Sequence, residues 1–330
     1  MADIRCIIAS SMGGKMSAFD RRSLLRTTLA AGVAAAAPVG ALTTWARSTN
    51  VFTAHRLPIG VQVYAVDEFA KKDLIGTFAS LSAIGFGALE LAGFHGATPQ
   101  QLRAAADSAG LAITGVHLND KQLGTTDEDA RKIAADLAVL GARNVVMQMF
   151  IFPRDIARRE GEVFPTYLHR ALREKGAEQW KQTAALLNAR GAALQREGLR
   201  LAYHNHNAEF EPVDDTTGWE ILVRETDPAL VDFEIDAGWV AAAGLDPVAL
   251  VSSLRGRVRQ MHVKDIKAQV SPNFAFVQDP AEIGAGIIDW KALLPAAYRA
   301  GVRNFYVEQE PPFITDRFES LAKSVAFLRA

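Results

Sequence analysis

A length of 330 residues, with 49% hydrophobic and 22% charged residues, fits a globular chain of one large or two ordinary domains. Thirty-six Lys and Arg against 37 Asp and Glu give no global basic field, which argues against a nucleic-acid partner. The single cysteine, Cys6, excludes internal disulfides and lies in a segment expected to be removed, so any metal centre of the mature chain must use histidine and carboxylates.

In chain order, residues 1–46 read as a twin-arginine export signal. Arg21-Arg22 precede an Ala-rich apolar stretch from Thr27 to Leu42, and Thr44-Trp45-Ala46 offers small residues at the two positions a signal peptidase reads. The stretch is too short and too Ala-rich for a membrane span, and no cysteine follows it to carry a lipid. The expected location is therefore periplasmic, with no stable membrane anchor. Removing residues 1–46 takes away five basic and two acidic residues, leaving a net charge of −4. Residues 47–58 are expected to be a linker.

From residue 59 to 330 one pattern recurs: a short β-branched run, a turn, then a stretch of helical period. Strands are predicted at 59–64, 88–92, 111–118, 144–149, 199–205, 231–236, 258–263 and 303–309. Helices are predicted at 68–84, 98–109, 127–140, 166–197, 216–226, 246–255, 289–300 and 315–328. Gly85, Gly110, Gly141, Gly198, Gly256 and Gly301 stand where these helices should end. Eight such units imply an α/β chain folded as a single (β/α)8 TIM barrel, which needs about 250 residues. Two long connections, 150–165 and 264–288, would lie on its C-terminal face.

Side chains alternate along a strand, so parity separates two faces. One face carries Leu201 and Tyr203, Phe233 and Ile235, Met261 and Val263, and Phe305 and Val307, and should meet the helices. The other carries His204 and His206; Asp232, Glu234 and Asp236; His262 and Lys264; and Tyr306, Glu308 and Glu310. Polar groups aimed into a barrel lose hydration unless they are bonded or bind something. His204, Asp236, His262 and Glu308, at the ends of four successive strands, are the predicted metal ligands. Two nitrogens and two carboxylates suit one divalent ion, manganese first, with zinc, cobalt, iron or magnesium as alternatives. Gln62, Glu90, His117 and Gln148 extend the inward set and are candidate hydroxyl-binding groups. Lys264 either stabilises an enolate or forms a salt bridge with a strand-end carboxylate. His55, His95 and His169 fall outside the strand-end pattern.

Tyr203-His204-Asn205-His206-Asn207-Ala208-Glu209-Phe210, Ile235-Asp236-Ala237-Gly238-Trp239, Met261-His262-Val263-Lys264-Asp265, Ile283–Trp290 and Tyr306-Val307-Glu308-Gln309 together resemble the sugar phosphate isomerase/epimerase family of the xylose isomerase-like TIM barrels. The resemblance covers residues 59–330 and implies a single metal on His204, Asp236, His262 and Glu308, gripping two adjacent oxygens of a sugar. Many epimerases of that group use glutamates on strands five and eight as paired acid/base groups. Here the strand-five position is His204, which cannot ligate and act as base through one nitrogen. Glu308 remains as a base, and His206 or Glu209 is the candidate second group; His206 is equally compatible with a structural role.

These readings imply a divalent-metal-dependent isomerase or epimerase acting on a small carbohydrate, a sugar or keto-sugar, by proton abstraction next to a metal-bound oxygen. The alternative is a lyase or dehydratase acting on a 3-keto-glycoside or keto-polyol by β-elimination. A non-catalytic sugar-binding barrel is the third reading. A homo-oligomer is compatible with all of them.

Overall fold

Eight parallel strands close into a barrel: β1 (Gly60–Gln62), β2 (Ala88–Ala92), β3 (Ala112–Leu118), β4 (Asn144–Met147), β5 (Arg200–His204), β6 (Val231–Asp236), β7 (Val258–Val263) and β8 (Asn304–Val307). The computed structural model describes residues 50–269 and 271–330. The export-signal reading of residues 1–46 lies outside the described residues. Each strand pairs with the next in sequence, and β8 returns to β1 through Gly60 opposite Tyr306, as expected for (β/α)8 units. Among the described residues, no helix is long and apolar enough to cross a membrane.

Strand parity sorts the faces as expected. Leu201, Tyr203, Phe233, Ile235, Met261, Val263, Phe305 and Val307 are fully buried in the layer between strands and helices. All six glycines expected to end helices take positive φ, from +67° at Gly110 to +124° at Gly301.

Two predicted helices are each divided in two. The stretch at 166–197 forms Phe164–Lys175 and Ala177–Arg196, separated by Gly176 at φ +59°. The stretch at 68–84 forms Asp67–Lys72 and Leu74–Ile84, separated by Asp73, whose carboxylate accepts from Gly76 N at 2.9 Å. In both cases the apolar faces of the two pieces pack on the same barrel, so the hydrophobic period carries no sign of the break.

The linker expected at 47–58 is structured where it is described. Val51–His55 is a helix with Val51 and Phe52 buried; Phe52 packs edge-on against Phe305 at 5.5 Å and His55 stacks on Tyr298 at 3.7 Å. Five residues are too few to give a readable period.

Four of the eight barrel strands end before polar residues predicted at their tips. Gln62 accepts from Tyr64 N at 3.1 Å and turns the chain into a 3-10 turn, Val63–Val66, so Tyr64 leaves the strand and stands 50% exposed at the mouth. Gln148, His206 and Glu308 likewise lie just past β4, β5 and β8. The 264–288 connection opens with a two-stranded ladder, Asp265–Ile266 against Pro280–Ala281. The buried Asp265 carboxylate collects the N–H groups of Gly284, Gly286 and Ile288 and the Trp290 indole.

Candidate active site

Two polar layers are stacked inside the C-terminal half of the barrel. The deeper one is centred on Glu234, a residue not singled out as a ligand from sequence. Three imidazole nitrogens converge on its Oε2: His117 Nε2 at 2.7 Å, His204 Nδ1 at 3.0 Å and His262 Nε2 at 3.2 Å. Glu90 Oε2 meets His262 Nε2 at 2.7 Å and His117 Nε2 at 3.1 Å. Gln260 Nε2 joins the two carboxylates, donating to Glu90 Oε1 at 2.8 Å and to Glu234 Oε1 at 2.9 Å. All six side chains are buried. Burial acts against charge on His117, but Glu90 and Glu234 outweigh it and hold its pKa at about 9. His204 moves the other way, to about 4, through burial and the nearby charge of His262.

The upper layer holds the predicted ligands. His262 Nδ1 lies 3.0 Å from Glu308 Oε2 and 3.7 Å from Asp236 Oδ2, while His204 Nε2 is 4.0 Å from Asp236 Oδ2. Asp236, His262 and Glu308 place one donor atom each within 4.8 Å of the other two. His204 stands at the edge of this trio and belongs by its other nitrogen to a second group with His117, Glu234 and His262. The four expected ligands are thus brought together as three plus one.

The trio fits a divalent ion on three grounds. Its donors are mixed nitrogen and oxygen. Asp236 Oδ2 is buried without a well-aligned hydrogen bond, although Lys264 Nζ lies 2.9 Å away. Finally, the far ring nitrogens of both His204 and His262 are held by buried carboxylates, an arrangement that fixes the tautomer and orientation of metal-binding imidazoles.

Lys264 takes the salt-bridge role. Its ammonium lies 2.9 Å from Asp236 Oδ2, 2.7 Å from Glu308 Oε2 and 2.6 Å from Glu310 Oε1. Burial opposes its charge, yet Asp236, Glu308 and Glu310 outweigh burial and raise its pKa well above the usual lysine value. Glu308 is held ionised in the same way: Lys264 and His262 overcome burial. Gly238 makes this possible, because a Cβ there would stand 2.6 Å from Lys264 Cγ.

A cavity of about 210 Å³ opens over these groups, and Gln62, His117 and Gln148 line it with His204, His206 and Glu308. Glu90, expected among the hydroxyl-binding groups, lies beneath the cavity, tied to Gln62, Gln260 and His262. His206 stands in the wall packed against Trp239 and Phe276, and its buried Nδ1 has no partner. Burial, then the charge of His204 and Lys264, depresses its pKa well below the usual value. Glu209 is set away from the cavity, accepting from Tyr203 Oη at 2.7 Å and His206 N at 3.0 Å. His55 is exposed and His169 pairs with Glu211. His95, by contrast, is buried against Asp67 at 2.7 Å with its backbone at φ +50°. A larger cavity of about 390 Å³ lies by Val51, Trp290 and Phe327, but no histidine or carboxylate side chain lines it.

Glu209 gives a pH-dependent expectation. Burial raises its pKa to about 7 from 4.5. Below pH 4.5 it is protonated in both folded and unfolded chains and costs nothing. As pH rises toward 7 the unfolded chain ionises first, so stability is lost, on the order of 3 kcal/mol in all. Glu209→Gln should therefore gain stability relative to the parent between pH 5 and pH 8, read by urea unfolding at both values. A stability difference that does not change with pH would show that this carboxyl titrates normally.

The family model described as xylose isomerase-like TIM barrel matches residues 78–330. The chain belongs to this family. An inosose dehydratase of Bacillus anthracis is 26% identical over 164 residues, covering 46% of this chain and 54% of the relative. The chain thus matches about half the length of such curated relatives. A sugar phosphate isomerase/epimerase from Parabacteroides distasonis superposes with TM-score 0.66 at 20% identity, covering 82% of this chain and 97% of the other. A 3-keto-D-glucoside 4-epimerase from E. coli gives TM-score 0.54 at 16% identity, covering 83% and 99%. At these identities the structural likenesses establish the shared fold.

Proposed function

We propose that the protein is an enzyme that isomerises or epimerises an uncharged sugar or keto-sugar by removing a proton from a carbon next to an oxygen. The observation that carries this reading is the convergence of Asp236, His262 and Glu308, with His204 beside them, under a cavity walled by Gln62, His117 and Gln148. Asp236, His262 and Glu308 would hold a divalent ion, with His204 Nε2 as the fourth donor. Bound there, it would supply electrostatic stabilisation to negative charge developing on substrate oxygens. The chain's own groups do the rest. Glu90 and Glu234 fix the imidazoles, and Gln62, His117 and Gln148 orient hydroxyls. Glu308, kept ionised by Lys264 and His262, accepts the proton at its carboxylate. His206, neutral and lining the same cavity, is the second proton-transfer group.

The substrate is uncharged on this reading because the cavity wall presents Glu308 and Glu310 while the ammonium of Lys264 is neutralised by three carboxylates. A phosphate would meet repulsion there. Dehydration or β-elimination is the second reading, favoured by the inosose dehydratase relatives, and it begins with the same proton removal.

Solvent deuterium exchange on 2-keto and 3-keto sugars with the Mn²⁺-loaded protein separates these readings. Deuterium incorporation with the carbon skeleton intact supports isomerisation or epimerisation, and release of water or an aglycone supports elimination. Absence of both exchange and bound metal would sink either enzyme reading and leave a sugar-binding barrel. Glu308→Gln should slow exchange by roughly a hundredfold or more, the range set by a lost general base.

A further inference from the structure

We propose that Lys264 is an internal counter-ion that competes with the divalent ion for Asp236 and Glu308 and so sets the affinity of the centre. The inference rests on the metal-centre reading above. Its ground is that the ammonium shares two particular oxygens with the ligand set. Lys264 Nζ is 2.9 Å from Asp236 Oδ2 and 2.7 Å from Glu308 Oε2. Those same two oxygens face His262 Nδ1, at 3.7 and 3.0 Å. An ion on Asp236, His262 and Glu308 needs lone pairs to which the ammonium already lies close. It also meets a like charge at short range, where the buried setting leaves electrostatic repulsion strong.

The fold provides a second partner for the lysine. Glu310 Oε1 is 2.6 Å from Nζ, and its side chain, 25% exposed, lies at the mouth rather than among the ligands. The stem is confined on the opposite side: Gly238 leaves the room its methylenes fill, and the ammonium lies 5.1 Å from the centre of the Trp239 ring. Lys264 can therefore transfer its ion pair from Asp236 and Glu308 to Glu310 with a small displacement while its methylenes stay in place. Ion binding and this exchange are one coupled event. Without an ion, the lysine keeps three neighbouring carboxylates from repelling one another.

The test is a double-mutant cycle of Lys264→Met and Glu310→Gln, with Mn²⁺ and Zn²⁺ titrated calorimetrically into chelator-treated, dialysed full-length protein. Methionine keeps the length of the stem without its charge. Lys264→Met should tighten metal binding at least about tenfold and lower the melting temperature of the chelator-treated protein. Glu310→Gln should weaken binding in the parent but have little effect in the Lys264→Met background, because its influence passes through the lysine. Equal or weaker binding by Lys264→Met overturns the proposal while leaving the metal centre standing. So does a Glu310→Gln effect of the same size in both backgrounds, which would mark simple through-space charge. Binding by Lys264→Met alone supports the proposal in its strongest form. If neither the parent nor the variant binds either metal, the metal-centre reading falls and this proposal falls with it.

Discussion

Asp236→Asn is expected to lose at least about a hundredfold in divalent-metal affinity while keeping its fold. Replacing partners that merely orient metal-binding histidines costs 10–100-fold, so loss of a charged donor should cost no less. The two oxygens of Asp236 have separate tasks. Oδ1 accepts from Trp239 N at 2.9 Å and caps the helix Ala237–Ala242, which starts directly off β6. Oδ2 faces His262 and Lys264 and has no well-aligned hydrogen bond. An asparagine oxygen can keep the cap, while its amide places N–H groups against an ammonium and removes the anionic donor. Asp236→Ala should lose both, adding about 1 kcal/mol of destabilisation from the missing cap. Calorimetric titration with Mn²⁺ and thermal melts of both variants read the two effects separately. Metal binding by Asp236→Asn within a few-fold of the parent would remove Asp236 from the ligand set.

The largest effect on stability is expected at Asp265, which lines neither of the two cavities described above. Its Oδ1 accepts from Ile266 N at 3.1 Å and Ile288 N at 3.2 Å. Its Oδ2 accepts from Gly284 N at 3.0 Å, Gly286 N at 3.2 Å and Trp290 Nε1 at 2.8 Å. The loop approaches so closely that a Cβ on Gly286 would stand 2.1 Å from Asp265 Oδ1. Asp265→Ala strips the acceptor from five N–H groups around a fully buried carboxylate. At roughly 1–3 kcal/mol for each donor left unsatisfied, and allowing water to reach some of them, the loss should be at least about 4 kcal/mol. Against a total stability of about 5–15 kcal/mol this is severe. It corresponds to a fall of about 8 °C or more in melting temperature. Limited proteolysis should then cut between residues 267 and 283, where the connection loses its anchor. A variant melting within a degree or two of the parent would mean that these donors find other acceptors.

Asp265 also shows where sequence reading stops. The run Ile283–Trp290 stands out in the chain, and Asp265 adjoins Lys264 in another such run. That one carboxylate holds the other run together is a contact across some twenty residues, and no local pattern encodes it. Glu234 makes the same point inside the barrel. Parity places it on the inward face with Asp236, but parity does not report depth. The register sets Glu234 opposite His204 and Gln260, and Asp236 opposite His262, so on β6 Glu234 lies two residues deeper than Asp236. Glu90 lies deep as well, so a residue expected to bind hydroxyls has its carboxylate against the imidazoles of His117 and His262. Glu209 is near in sequence to His206, yet the turn after β5 directs it to Tyr203, on the helix-facing side of the strand.

By itself the sequence determined the eight-fold alternation of strands and helices, the inward faces of the strands and the presence of His204, Asp236, His262 and Glu308 at their ends. These follow from local periodicity and the chemistry of residue types, which the chain carries in any conformation. Only the tertiary structure decided which atoms meet. It turned the two nitrogens of His204 toward different carboxylates, gathered Asp236, His262 and Glu308 more tightly than His204, and set the ammonium of Lys264 among three acids. Those outcomes depend on strand register, on ring orientation and on the depth at which each side chain leaves the barrel wall. Such quantities are fixed by contacts between residues far apart in the chain.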